Sequence, residues 1–188
     1  MIDLCMERFL FGVYSQNMSK RATARFWDAP PHVDPASALA RTVSIGFVAG
    51  VLEMLLFHQG TTFILHHAGN DLPILHAVFG RTPAPYRLSP TPPFGLQGVL
   101  ATALWGGAWG VALAAVLRRP GRVPELLFGL CFGPILPTFA ELTVVAAAQD
   151  LPAFAGGDRR VWWRAGLANA AWGWSAALMI LLALPRRG

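Results

Sequence analysis

Glu53, His58 and Gln59 stand inside an otherwise apolar run, VLEMLLFHQGTTFILHH, at residues 51–67. A carboxyl and an imidazole a few residues apart are the parts of a proton or cation relay, because each changes charge with its surroundings. A second set lies further along, with Thr138 and Glu141 in PTFAELTVV and Asn169 in GLANAAWGW. Polar side chains at membrane depth are costly, which makes Glu53, His58, Gln59, Thr138, Glu141 and Asn169 the candidate site. The structural alternative is a hydrogen-bonded cluster that pins helices together, worth about 0.6 kcal/mol per bond.

Helix geometry says which of these can meet. At about 100° per residue, Glu53 shares a stripe with Gly46, Gly50, Phe57, Gly60 and Ile64 and points into a bundle. His58 falls about 140° away, on another face. By depth, Glu53 is roughly 17 Å into its span and His58 about 24 Å. Glu141 lies at a level of about 25 Å, and Asn169 about 10 Å below the outer end of the last span. The expectation is one polar layer in the outer half of the membrane, built from His58, Gln59, Thr61, Thr138, Glu141 and Asn169.

Other chemistry has weaker support. His66, His67, Asp71 and His76 cluster near a helix end, but their spacing matches no standard metal site, so no metal is expected. A transmembrane haem with two axial histidines needs a second His-bearing span, and only His58 lies well inside one. No cofactor is expected on these grounds, although one axial histidine leaves a pigment chemically possible. The sequence has no Gly-rich phosphate loop, no Gly-x-Ser-x-Gly, no His-Glu-x-x-His and no Cys-x-x-Cys. The chain is expected to be non-catalytic.

The elements that hold these residues follow from composition. Of 188 residues, 54% are hydrophobic and only 13% charged, with a mean hydropathy of +0.46. Soluble domains carry about twice that share of charge. Four stretches are long enough to cross a bilayer, about Thr42 to His67, Phe94 to Leu117, Pro124 to Ala148 and Trp162 to Leu184. The predicted fold is all-α, an integral membrane four-helix bundle spanning 42–184, with an N-terminal arm over 1–41 and a tail over 185–188. The arm reads as an interfacial helix through Leu4, Phe9, Leu10 and Val13, or as sequence upstream of a true start at Met18. Prolines remove backbone donors, so the third helix is expected to kink or break at Pro134 and Pro137.

Three helices carry small residues four apart, Gly46 and Gly50, Gly106 and Gly110, Gly129 and Gly133. Such pairs let backbones approach closely and predict tight packing or self-association. The loop after the first span is proline-rich, with Pro83, Pro85, Pro90, Pro92 and Pro93, and reads as a stiff connector lying on the bundle or a partner-binding strap.

The net charge of +5 does not point to nucleic acid, because the 15 basic residues sit at the ends of apolar stretches. Ten of them (Arg8, Lys20, Arg21, Arg25, Arg41, Arg118, Arg119, Arg122, Arg186 and Arg187) fall on the side of the termini. The positive-inside rule then puts both termini in the cytoplasm, with lipid head groups as the partner of these charges.

Four fragments, Phe57-His-Gln-Gly60, Pro92-Pro-Phe-Gly95, Trp105-Gly-Gly-Ala-Trp-Gly110 and Ala171-Trp-Gly-Trp174, together resemble a group of uncharacterised small inner-membrane proteins of proteobacteria. The resemblance covers about residues 40–184. It implies the four-span layout and a bacterial inner-membrane location, and carries no activity or site. The functional expectation is an accessory or assembly subunit that associates with other membrane proteins or with itself. A small oligomeric transporter or channel using the polar layer is the alternative, and a cofactor- or pigment-binding subunit the third.

Overall fold

The computed structural model describes residues 34–92, 95–118 and 124–184. The readings of the N-terminal arm and of the tail lie outside these residues, apart from Asp34 to Arg41. From Leu39 onward the described residues belong to one compact unit.

Helix α1 (Pro35–Gly69) starts where Asp34 accepts the Ser37 amide at 3.2 Å and Pro35 occupies the first helical position. It therefore begins seven residues before the expected Thr42. Its 35 residues correspond to about 52 Å of helix, well beyond the ~30 Å of a hydrocarbon core, so its ends reach past the apolar zone. A short helix α2 (Pro73–Phe79) ends at Gly80, whose φ of 65° only glycine adopts without strain. A two-residue hairpin, β1 (Pro90–Thr91) against β2 (Leu96–Gln97), leads into α3 (Gly98–Leu117). Helix α4 (Glu125–Ala148) follows, and a left-handed turn over Phe154, Ala155 and Gly156 leads to α5 (Arg159–Ala183), capped by the Asp158 carboxylate on the Arg160 amide. The four long helices are apolar enough to cross a membrane, and their outward residues, among them Leu56, Ile64, Ile135 and Leu182, are exposed in the manner of a lipid-facing surface.

Two glycine crossings build the core. Helices α1 and α3 meet where a Cβ on Gly50 would lie 2.1 Å from the Gly106 carbonyl oxygen, and one on Gly110 2.2 Å from that of Gly46. Helices α4 and α5 meet where a Cβ on Gly133 would lie 1.9 Å from the Asn169 carbonyl oxygen, and one on Gly129 2.3 Å from that of Gly173. All six glycines of the predicted motifs are thus at helix contacts, and Gly173 completes the second crossing. Trp172, fully buried, joins the two pairs, its Nε1 donating to the Gly50 carbonyl at 3.0 Å. It shares one buried core with Ala49, Met54, Leu113, Phe132, Ala176 and Ile180.

The chain is not broken at Pro134 or Pro137, since the backbone stays helical through both. Pro137 cannot serve the Gly133 carbonyl, and the Thr138 hydroxyl lies 3.4 Å from it instead. Such replacement of a lost backbone donor is what lets membrane helices carry proline. The irregular turn comes just after, at Glu141–Val145.

Gly133→Ala is expected to destabilise the bundle by about 1–3 kcal/mol through overpacking. Gly60→Ala, where nothing lies within 4 Å of the new methyl, should be neutral or stabilising by up to about 1 kcal/mol. Thermal unfolding of the two variants in one detergent checks this, and equal midpoints would contradict the close crossing.

Candidate functional site

Three π-turns interrupt the long helices, at Met54–His58, Leu65–Gly69 and Glu141–Val145. A π-turn bonds N–H to the carbonyl five residues back, which passes over one carbonyl and leaves it for another donor. Most of the polar side chains at depth lie at these turns.

At the first, the amides closing the turn at Gln59 bond to the Met54 and Leu56 carbonyls and pass over that of Leu55. The Tyr86 hydroxyl takes the freed Leu55 oxygen at 3.0 Å, and the Gln59 side-chain oxygen accepts the Tyr86 amide at 2.9 Å. These two bonds hold Tyr86 at a φ of 51°, a left-handed conformation costly for a bulky residue. The proline-rich connector is thereby fixed to α1.

The second clamp lies one level outward. Asn70 accepts the Thr82 amide at 2.8 Å and donates to the Thr82 carbonyl at 3.1 Å, pairing with that backbone much as a strand would. His66 Nδ1 is 2.8 Å from the same carbonyl, which can only accept, so this nitrogen carries the hydrogen. From α5, Arg164 donates to the carbonyls of Phe79 at 3.0 Å and Arg81 at 2.9 Å.

The third cluster joins α4 to α5. Asn169, 2% exposed, uses its amide nitrogen twice, donating to Glu141 Oε2 and to Thr138 Oγ1, both at 3.0 Å. Arg164 lies within Coulombic range of Glu141 and of Asp158. The Gly133 crossing brings the Asn169 backbone close enough to α4 for these bonds.

The expected layer thus divides. Thr138, Glu141 and Asn169 do meet, whereas Gln59 is engaged by the connector. Thr62 donates to the His58 carbonyl one turn back at 3.0 Å. Glu53 is buried, with Ser175 of α5 as its side-chain hydrogen-bond neighbour. One Glu53 carboxyl oxygen and His58 Nδ1 are buried without a partner among the described residues. The 140° expected between Glu53 and His58 assumed a regular helix, and the π-turn begins directly after Glu53. His66 is committed to Thr82, its ring edge-on to His67 at 5.0 Å, while His67 stacks on Phe63 at 4.3 Å and His76 lies on α2. Among the described residues no three His, Cys, Asp or Glu side chains are grouped to hold a metal.

Tyr86, Asn70, Thr82, Arg164 and Ser175 were not singled out as site residues from the sequence. A π-turn has no compositional signature, and the residues that serve its freed carbonyl come from a loop of unspecified course.

In a double-mutant cycle of Asn169→Ala with Thr138→Val, the expected coupling is about 0.6 kcal/mol. Purely additive unfolding energies would deny the bond. Tyr86→Phe should leave the bundle folded yet raise amide exchange across residues 80–90, read by hydrogen–deuterium exchange against wild type.

No known protein family, curated protein or solved structure matches this chain.

Proposed function

We propose that this chain is a non-catalytic multi-pass protein of a bacterial inner membrane, with both termini in the cytoplasm, acting as an accessory or assembly subunit of a larger membrane complex. One observation carries the reading: the polar groups at depth serve as fastenings. Asn169 ties α4 to α5, Trp172 ties α5 to α1, Gln59 and Asn70 tie the connector to α1, and Arg164 ties it to α5. Side chains used this way make a rigid scaffold whose outward apolar faces are open to lipid or to a neighbouring helix. The ten-to-five distribution of basic residues supports the orientation.

A second reading, a small oligomeric transporter or channel, rests on the unpartnered atoms of Glu53 and His58. Unsatisfied ionisable groups in hydrocarbon are the usual stations of an ion or proton path.

Purification in mild detergent or nanodiscs, with an absorption spectrum, separates the readings. A stoichiometric larger membrane partner is the expected result. A homo-oligomer whose proton or cation flux in liposomes is abolished by Glu53→Gln would overturn it in favour of transport, and a visible-range band would do so in favour of a pigment or haem.

A further inference from the structure

At the end of the bundle that carries Arg41 and Arg118, helices α1 and α5 part enough to leave a groove of about 230 Å³. Ser44, Ile45, Val48, Ala49, Met179 and Ala183 line it. Three of these are small, which opens the space, and the other three form its apolar walls. In a bilayer such a groove faces hydrocarbon; water has no partners there, and an empty groove forfeits dispersion contacts on one side. An acyl chain is the occupant that satisfies both conditions.

The mouth of the groove is charged. Arg41 lies one turn before Ile45, and its Nη2 donates at 3.3 Å to the carbonyl of Ala183, itself a groove residue. That bond uses one of five guanidinium N–H groups, and the side chain is exposed. Arg118, at the end of α3, donates to the hydroxyl of Thr42, the next residue of α1. Arg41 is therefore held directly at the groove by a neutral acceptor. From Arg41 to Val48 is roughly 11 Å along the helix axis, enough for the first part of one lipid tail. A guanidinium presents paired donors that match a phosphate better than any other side chain does.

The geometry points to a binding site for an anionic glycerophospholipid, its phosphate on Arg41 and one acyl chain in the groove between α1 and α5. This is independent of whether the chain serves as a subunit or a transporter.

Native mass spectrometry of the detergent-solubilised full chain tests it, titrating phosphatidylglycerol or phosphatidylcholine with identical acyl chains. The wild type should retain one phosphatidylglycerol about fivefold or more tightly than phosphatidylcholine, each surface guanidinium contributing on the order of that factor. Arg41→Gln should abolish the preference while leaving both lipids bound equally. Val48→Trp, at a half-exposed position, fills the groove and should lower retention of both lipids. Ile135→Trp, on the outward face of α4, should change neither, and thermal midpoints near wild type confirm that the variants fold. Equal retention of the two lipids by the wild type, an unchanged preference in Arg41→Gln, or full retention in Val48→Trp would each overturn the proposal. So would displacement of phosphatidylglycerol by inorganic phosphate alone, since the tail would then contribute nothing.

Discussion

The Trp172 indole and the Gly50 carbonyl meet at 3.0 Å in the one place where both glycine crossings come together. The hydrophobic effect gives membrane helices little reason to associate, since lipid tails are as apolar as leucine. Stability has to come from contact at short range, and contact at short range needs backbones without side chains between them. The α1–α3 and α4–α5 pairs are built in this way, and each is close to self-sufficient. Trp172 spans from one pair to the other with both a large apolar surface and a donor, and the Trp109–Phe132 and Phe57–Trp174 ring contacts cross beside it. The Trp172 ring lies fully buried beside Phe132, and its N–H finds an oxygen on the opposite pair.

The π-turns follow the same economy of backbone groups. A regular helix buries its carbonyls within itself and offers nothing to a neighbour. A π-turn releases one, and Leu55 shows what can be done with it, since the connector returns to the helix and supplies the missing donor through Tyr86. Pro137 produces the same situation by another route, and Thr138 answers it from within the helix. Thr138 is then also the acceptor of Asn169, so the repair of a proline defect and the tie between two helices share one hydroxyl.

The sequence made the four spans legible because hydropathy and length are bulk properties, and the glycine pairs legible because their spacing is local. The start of α1 was placed too late because PASALAR looks like an arm when only hydropathy is weighed, whereas Asp34 and Pro35 are a helix-starting pair. Depth arithmetic brought Thr138, Glu141 and Asn169 to one level, and they do meet. It failed for Gln59, which the connector engages instead, since a π-turn changes the rotation of everything beyond it. The partners Tyr86 and Thr82 were beyond reach for a different reason. They sit on a connector whose direction along α1 is set by tertiary bonds, and composition says only that it is stiff.

The two clamps on that connector also act as a measuring stick. Gln59 on α1 and Asn70 just past its end are eleven residues apart, roughly 16 Å along the helix axis, while Tyr86 and Thr82, which they hold, are separated by four residues that extend to about 13 Å. The side chains of Gln59 and Asn70, reaching to the backbone of Tyr86 and Thr82, make up the difference. Both Asn70 contacts are to backbone, as is the Gln59 contact, and none reads the identity of residues 83–85. Substitution there is cheap, but removal of a single residue would force one clamp open. What this stretch specifies is a distance, written as a number of residues rather than as their kind.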